Sequence, residues 1–381
     1  MRYTIGEMAE IIDGDRGKNY PHQHEFLDEG YCLFLNTGNV TKVGFSFDSN
    51  QFISKEKCDL LRKGKLQRHD IVYTTRGTVG NAAYYSDSIP YEHVRINSGM
   101  VIIRPKEAIV CTEFLYQILK SDYYRPFFRK HCTGSAQPQL PIKNFSTIEL
   151  DLPDLPVQCR IAGILSTYDD LIENNQKQIK LLEEAAQRLY KEWFIDLRFP
   201  GRENVKIVDG VPEGWENASV TDLLEIRYGK DHKGLADGCI PVYGSGGIMR
   251  KVDKILYSGE SVLIPRKGSL NNILLVSGDF WTIDTMFYSV PKRPNVAKYV
   301  YLYLTGIDMY AMNIGAAVPS MTVKILDGMR LLCPSDSILE LFETTAKPYY
   351  EMIELLKKKQ SMLGETRDRL LLKLMSGEIE V

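Results

Sequence analysis

The sequence predicts an α+β protein in which two mixed α/β domains, related by an internal pseudo-two-fold axis, are separated by two long antiparallel coiled-coil helices. Three observations predict this fold. The chain contains an internal repeat, each copy ends in a long heptad pattern, and each copy contains short apolar runs between glycine-rich turns. The 381 residues are too many for one ordinary core and suit two or three domains.

The repeat is clearest in two stretches that match at an offset of 181 residues. Residues 134–143 read GSAQPQLPIK, and residues 315–324 read GAAVPSMTVK. Four shorter matches follow in the same order in both halves: 5–14 with 220–229, 70–78 with 260–269, 100–106 with 286–292, and 114–119 with 299–304. Five ordered matches indicate duplication. A duplicated protein suits a ligand with two similar parts, and double-stranded DNA is the obvious candidate.

Within each copy, short apolar runs predict strands and glycine-rich segments predict turns. The runs are four or five residues long and are rich in β-branched and aromatic residues, as is typical of strands. The predicted strands are 31–35, 70–74, 100–103 and 261–264, and the predicted tight turns are 37–39 and 244–247.

A long helix is predicted after each copy. The first begins after residues 153–156, whose prolines suit a helix start, and extends to about Asp196. About 40 residues at 1.5 Å each give a rod of roughly 60 Å, which needs a partner helix. Its apolar seam has spacings of four and three: Ile161, Leu165, Tyr168, Ile172, Asn175, Ile179, Leu182, Ala186, Leu189 and Trp193.

Adding 181 to these positions gives the seam of the partner helix. It consists of Phe342, Ala346, Tyr349, Ile353, Leu356, Gln360, Leu363, Arg367, Leu370 and Leu374. Pro348 is expected to kink or interrupt the first turns of this helix. Asn175 has two interpretations: a polar seam residue that fixes the helix register, or a side chain that points to water.

Composition excludes several classes of protein. The net charge of −2 argues against a non-specific nucleic-acid binder, although the globular segments carry a small positive excess and the helical ones a negative excess. The seven cysteines are scattered without a C-x-x-C pair, which indicates reduced thiols. We find no apolar run of about 18 residues and no signal peptide, so we expect a cytoplasmic protein without a membrane partner.

Catalytic motifs are missing from the sequence. It contains no G-x-x-x-x-G-K-[ST] loop, no G-x-G-x-x-G in a strand-to-helix setting, and no Asn/Asp-Pro-Pro-Tyr motif of adenine methyltransferases. His22 and His24 lack a third metal ligand at suitable spacing. The chain is therefore expected to be a binding scaffold, not an enzyme, with no metal and no cofactor of its own.

Candidate DNA-contacting residues lie in the predicted loops. Arginine can bind guanine O6 and N7, asparagine and glutamine can bind adenine, and lysine can neutralise phosphate. Each candidate also suits an ordinary solvated turn, and the basic run from Lys55 to Arg68 is either a phosphate track or a solvated face. The candidates are Arg76, Thr78, Asn81, Gln137, Gln139, Lys230, Lys233, Tyr243, Ser245, Arg266, Lys267, Ser269, Asn271 and Asn272.

Three motifs together resemble a known family. LPDLPVQCRI at 152–161, KEWF at 191–194 and PEGW at 212–215 resemble the specificity (S) subunit of type I restriction-modification systems. The second half departs from the pattern, because residues 334–339 lack the Pro-x-x-Gln ending. The resemblance implies target-recognition domains at 1–153 and 200–335, and conserved long helices at 154–199 and 336–381.

The resemblance also implies a mechanism. Each recognition domain would read one half of a split, asymmetric DNA site through the major groove, and the helices would set the spacer and dock two modification (methyltransferase) subunits. S-adenosylmethionine is expected in those subunits, and ATP with Mg²⁺ in a motor-nuclease restriction subunit. Two alternatives remain: a coiled-coil protein-interaction scaffold that does not bind DNA, and an autonomous enzyme, which the missing motifs disfavour.

Overall fold

The chain forms two compact units in the computed structural model, which describes residues 1–134, 137–313 and 320–381. Residues 315–319 of the second repeat motif, and 135–136 of the first, lie outside the described residues. The first unit is Met1–Lys177 with Lys357–Val381, and the second is Gln178–Leu356. Both units are mixed α/β, as predicted. The four predicted segments follow a different division, because each long helix contributes residues to both units.

The first unit contains eleven short strands among its described residues, together with five helices and part of each long helix. The strands are β1 Arg2–Thr4, β2 Ala9–Asp13, β3 Cys32–Leu35, β4 Val40–Thr41, β5 Gly44–Phe45, β6 Phe52–Ile53, β7 Ile71–Thr74, β8 Ala82–Tyr84, β9 Val94–Ile96, β10 Met100–Pro105 and β11 Glu149–Asp151. The helices are α1 Ile5–Met8, α2 Lys55–Leu60, α3 Thr112–Lys120, α4 Arg125–Arg129, α5 Ile142–Ser146 and α6 Leu155–Tyr190.

The second unit repeats this plan. Its strands are β12 Ile207–Val208, β13 Val211–Pro212, β14 Glu216–Ser219, β15 Leu224–Tyr228, β16 Asp237–Gly244, β17 Gly247–Val252, β18 Tyr257–Ser258, β19 Ser261–Pro265, β20 Leu274–Val276, β21 Asp279–Thr282, β22 Met286–Pro291 and β23 Arg330–Cys333. Its helices are α7 Val220–Leu223, α8 Ala297–Thr305, α9 Val323–Gly328 and α10 Asp336–Ser376. The four predicted strands are therefore confirmed as β3, β7, β10 and β19.

The two central sheets have the same strand order. The first unit has the antiparallel order β2-β10-β7-β8, and the second unit has the equivalent order β15-β22-β19-β20. In each unit a second sheet contains one parallel pair, β3 with β9 or β16 with β21. A further antiparallel pair, β1–β11 or β14–β23, ties the start of each domain to the strand before its long helix. The shared order confirms the duplication.

Both faces of the central sheets are buried, which explains why their strands are uninterrupted apolar runs. In β7, Ile71 and Tyr73 belong to the core that contains α3, while Val72 belongs to the core that contains β3 and β9. In β19, Ile264 and Leu263 divide in the same way between two cores. Each side chain of this size contributes roughly 1.5–3 kcal/mol by burial, so the sheet is held from both sides.

The two long helices bury the predicted seams. In the first unit, Ile161 and Leu165 share a core with Leu371 and Leu374 of α10. The buried seam residues are Ile161, Leu165, Asn175, Ile179, Ala186, Trp193, Phe342, Ala346, Ile353, Leu356 and Leu374. The partly buried ones are Tyr168, Ile172, Leu182, Leu189, Tyr349, Gln360, Leu363, Arg367 and Leu370.

Not every expectation about the course of the two long helices is met. α6 begins at Leu155 and passes after Tyr190 into a π-helical turn at Lys191–Ile195, close to the predicted end. Pro348 was expected to kink or interrupt the helix, and the interruption is wrong, because α10 continues through this residue. Proline removes one backbone hydrogen bond of the helix, but the burial of residues on both sides of Pro348 keeps the chain helical.

Of the two interpretations of Asn175, the structure agrees with a buried seam residue and not with a side chain that points to water. Its side chain is 2% exposed, and its Nδ2 has no hydrogen-bond partner among the described residues. An unsatisfied buried amide costs stability, so this residue lies in the seam at an energetic cost.

The segment between α6 and β14 packs on the second unit. Phe199 and Trp215 are buried with their ring centroids 5.0 Å apart, and Trp215 also contacts Phe194. The connection is therefore tethered to the core at both of its ends. None of the described helices is both long and apolar enough to cross a membrane.

Candidate nucleic-acid interface

Three loops of the first unit meet where β7 ends. The amides of Thr75 and Arg76 both donate to the carbonyl of Gly99, at 2.9 and 3.1 Å. The amide of Leu140 donates to the carbonyl of Thr75, and Arg76 forms a β-bridge with Gln139. The repeated motif near residue 139 is thus attached to the arginine loop, and Gln139 lies beside that arginine.

The second unit builds the same edge at the end of β19. The amide of Arg266 donates to the carbonyl of Thr285 at 2.8 Å, and the amide of Met321 donates to the carbonyl of Arg266 at 2.9 Å. Asn272 Nδ2 donates to the carbonyl of Ser245, so the turn between β16 and β17 joins the edge. The amide of Lys267 also donates to Thr285, and Lys267 forms a β-bridge with Ser320 as Arg76 does with Gln139. Lys267 is therefore the structural equivalent of Arg76, whereas Arg266 occupies the place of Thr75.

A glycine marks the close backbone approach beneath each edge. A Cβ atom at Gly14 would lie 2.3 Å from the carbonyl oxygen of Asn97, and one at Gly229 would lie 2.0 Å from that of Ile283. These distances exclude any side chain, because the strand exit must pass directly against the neighbouring loop. The matched glycines of the repeat thus have a structural function in both units.

Several predicted residues present free side chains at these edges. Their side chains make no hydrogen bond or ion pair with any residue that the structure describes, and all but the half-buried Arg76 are exposed. The members of this set are Arg76, Thr78, Gln137, Gln139, Lys230, Lys233, Lys267 and Ser269. Tyr243 and Ser245 are half-buried beside them, and burial raises the pKa of Tyr243, which keeps its hydroxyl protonated.

The side chains of other predicted residues form hydrogen bonds within the protein. Asn81 is buried, donates to the carbonyl of Val40 and accepts a hydrogen bond from Arg125, contrary to the expectation that it reads adenine. Asn271 is exposed, but its amide donates to Asp308 and accepts from the amide of Met309.

Asn272 and Arg266 are also partly engaged. The side-chain amide of Asn272 holds the Ser245 turn in place. The Arg266 guanidinium lies 5.4 Å from the ring centroid of Tyr228 and donates to the carbonyl of Asp284 at 3.2 Å. Arg266 is thus held in one orientation, whereas Arg76 is not.

Arg16 is an edge residue that the sequence analysis missed. Its guanidinium donates to Asp13 and to the carbonyl of Ser98 at 3.2 Å, next to the glycine that binds the arginine loop. The sequence contained a signal for Arg16. It follows Gly14 by two residues, and the predicted contact residue Lys230 directly follows the matched Gly229.

The basic run before β7 does not form one continuous free track. Lys55 and Lys57 are paired with Asp59 and Glu25. Arg68 donates to backbone carbonyls and lies over the ring of Tyr85. Among the described residues, no group of three or more His, Cys, Asp or Glu side chains is arranged to hold a metal ion.

The chain is similar to known proteins of one family. A model described as "Type I restriction modification DNA specificity domain" matches residues 1–184. The type I restriction enzyme MjaIX specificity subunit of Methanocaldococcus jannaschii is 27% identical over 343 residues, covering 82% of this chain and 78% of the relative. The HindI specificity subunit of Haemophilus influenzae is 22% identical, covering 98% of this chain and 100% of the relative.

A solved structure has the same fold. The S subunit of a type I restriction-modification system from M. genitalium gives a TM-score of 0.50 at 16% identity, covering 98% of this chain and 96% of that one. The motifs that predicted this resemblance are thereby confirmed. Residues 1–184 thus match the DNA specificity domain of type I restriction-modification systems, and the chain as a whole is similar to specificity subunits of those systems.

Proposed function

We propose that each unit reads one half of a split DNA target, and that the residues free at its edge make the contacts with bases and phosphates. The supporting observation is that two equivalent edges carry different side chains. The first presents Arg76, Gln137 and Gln139, while the second presents Lys230 and Lys267. Equal scaffolds with different donors and acceptors suit two different half-sites.

We further propose the finer architecture that the repeat implies. The domains at 1–153 and 200–335 are target-recognition domains related by a pseudo-two-fold axis, and the helices at 154–199 and 336–381 form an antiparallel coiled coil that spaces them. The constant offset of 181 residues between the two buried seams supports this arrangement.

The remaining parts of the proposal concern partners. The long helices dock two methyltransferase subunits that bind S-adenosylmethionine, and a restriction subunit adds ATP- and Mg²⁺-dependent motor and nuclease activity. The complex acts on double-stranded DNA in the cytoplasm. The family relationship supports this assignment, since the relatives are subunits of type I restriction enzymes.

Two edge variants test the proposal in the reconstituted complex. Gln139→Ala and Lys267→Met each remove one free side chain from one unit. Gln67→Ala is the matched control, because Gln67 is exposed at the opposite end of β7. Methylated adenines are mapped by long-read sequencing after methylation of genomic DNA in vitro.

Each edge variant is expected to relax or weaken one half-site only, by roughly 1–3 kcal/mol for a base contact, and the control is expected to leave both unchanged. A coiled-coil scaffold that does not bind DNA would instead keep the complete methylation pattern in both variants. That result would refute the assignment of these edges.

A further inference from the structure

A buried cluster of charges lies in the first unit where α3 meets both long helices. Lys120, the last residue of α3, and Arg367 of α10 both bind the carboxylate of Asp169 on α6, the Arg367 contact being 2.8 Å. Gln117 Nε2 of α3 donates to the same carboxylate at 2.6 Å. One aspartate therefore joins a helix of the recognition domain to both long helices.

A second contact holds the chain just beyond α3. The carboxylate of Asp368, the neighbour of Arg367, accepts the backbone amide of Asp122 at 2.9 Å and two hydrogen bonds from Arg367. Thus α10 binds both the last turn of α3 and the loop that follows it. A rotation of α3 against the long helices would break the two sets of contacts together.

The cluster is largely withdrawn from water. The exposed fractions of the side chains are 5% for Lys120, 24% for Asp169 and 13% for Arg367. Burial alone would raise the pKa of Asp169, but Lys120 and Arg367 lower it below its ordinary value, so the carboxylate stays ionised. A buried ion pair of this kind adds little net stability over an apolar pair, but it tolerates little change in geometry.

The second unit attaches its recognition domain differently. The repeat offset places Tyr350 of α10 where α6 has Asp169, and Tyr350 packs edge-on against Tyr301 of α8 with ring centroids 6.2 Å apart. Lys298, in the first turn of α8, binds Glu260 and Glu343 instead. The Lys120–Asp169–Arg367 cluster is therefore not a remnant shared by both copies of the repeat.

We propose that Lys120, Asp169 and Arg367 form a positioning joint that holds the first recognition domain at a fixed angle on its helices and so restricts the spacer lengths that the subunit accepts. The inference rests on the proposed function. A domain that can rock on its helices reaches half-sites over a wider range of spacers, whereas a directionally bonded joint accepts few. The joint contributes to spacer selection and not to base recognition.

The test replaces the pair by apolar residues of similar volume, Lys120→Met with Asp169→Leu, which avoids leaving one buried charge alone. The matched control is Arg2→Met with Asp151→Leu, an exposed ion pair of the same unit that lies outside the long helices. The complexes methylate a DNA library that carries both half-sites at every spacer from three base pairs shorter to three longer than the wild-type optimum. Thermal unfolding verifies that each variant is folded.

The joint variant is expected to keep both half-sites while its preference for the optimal spacer over the neighbouring spacers falls by about fivefold or more. The control pair should retain the wild-type preference. A folded joint variant with an unchanged spacer preference would overturn the inference, and so would a changed half-site. If the double variant does not fold, Gln117→Leu is measured instead; a smaller loss of preference supports the joint, and an unchanged preference refutes it. Failure of the wild-type complex to select any bipartite site would refute the proposed function, which is a separable result.

Discussion

Replacing Arg76 by alanine should separate recognition from folding more cleanly than any other edge substitution. The Arg76 guanidinium makes no hydrogen bond or ion pair with the part of the chain that the structure describes. Its removal should therefore change the free energy of unfolding by no more than about 0.5 kcal/mol. A bidentate contact with guanine is worth roughly 1–3 kcal/mol, so affinity for the cognate half-site should fall about five- to 150-fold.

Arg266→Ala provides an informative contrast. This substitution removes the hydrogen bond to the Asp284 carbonyl and the contact with the Tyr228 ring. A cation–π contact at an exposed site is worth about 0.5–1 kcal/mol and a net hydrogen bond about 1 kcal/mol. Arg266→Ala should thus lower the unfolding free energy by roughly 1 kcal/mol as well as affect binding.

Binding is measured by fluorescence anisotropy of the complex with methyltransferase subunits, at fixed salt, on duplexes with single substitutions in either half-site. If Arg76 reads a base, the variant loses discrimination at one base pair of one half-site. If Arg76 contacts phosphate, binding to all sequences weakens equally and the salt slope falls by about one. Arg369→Ala is the control, since that side chain is 80% exposed on α10.

The decisive outcome is the pattern over the substituted duplexes. A folded Arg76→Ala complex that binds every duplex with wild-type affinity would refute the role of the first edge. A loss confined to the half-site read by the second unit would show that the two edges have been assigned to the wrong halves of the target.

Three further predictions concern folding and spacing. Gly14→Ala should destabilise the first unit by roughly 1–3 kcal/mol in urea unfolding, because the added methyl would lie 2.3 Å from the Asn97 carbonyl, whereas Gly163→Ala, in open space, should not. Burial lowers the pKa of Lys120 from 10.5 to about 8, so between these pH values the folded state has lost a proton that the unfolded state still binds. The unfolding free energy of the wild type, relative to that of Lys120→Met, should therefore rise by up to about 3 kcal/mol from pH 8 to 10.5. If the difference in unfolding free energy between the two proteins does not change with pH, this prediction is wrong. Four residues inserted into both long helices, after Gln178 and after Leu356, should lengthen each rod by roughly 6 Å, or two base pairs, and shift the spacer in methylation-site sequencing without altering the half-sites.

The regular patterns of the sequence predicted the structure because the repeat of a helix or strand determines which side chains face the core. The heptad spacing identified the buried face of α6 and α10, and apolar runs such as Ile71–Thr74 identified strands that are covered on both sides. The interruption expected at Pro348 is absent because the packing of the helix outweighs the low helix propensity of proline. One missing hydrogen bond costs less than the burial of Phe342 and Ile353 on the same helix contributes.

Residue type could not distinguish readers from structural residues at the edges. Asn81 and Gln139 are both amides near the arginine loop, yet only Asn81 is enclosed, since its carbonyl and amide groups are satisfied by Arg125 and Val40. Those partners are 41 and 44 residues away in sequence. No local pattern indicates them, so the distinction depends on tertiary contacts.

The length difference between the two copies shows which part of each domain is free to vary. From Gly14 to Asp70 the first copy has 57 residues, whereas the matching stretch from Gly229 to Glu260 has 32. After this region the offset between the copies falls only from 190 to 181 residues, and along the helices it is constant, because an insertion in one helix alone would shift its buried seam out of register with the other helix. The variable stretch supplies one strand of each parallel pair, β3 of β3–β9 or β16 of β16–β21, and in the second unit its hairpin turn reaches the edge at Ser245. Because lengthening a surface loop costs little, we infer that half-sites diverge by changes in this stretch together with substitutions of the free edge residues, on a central sheet and helices that must stay the same.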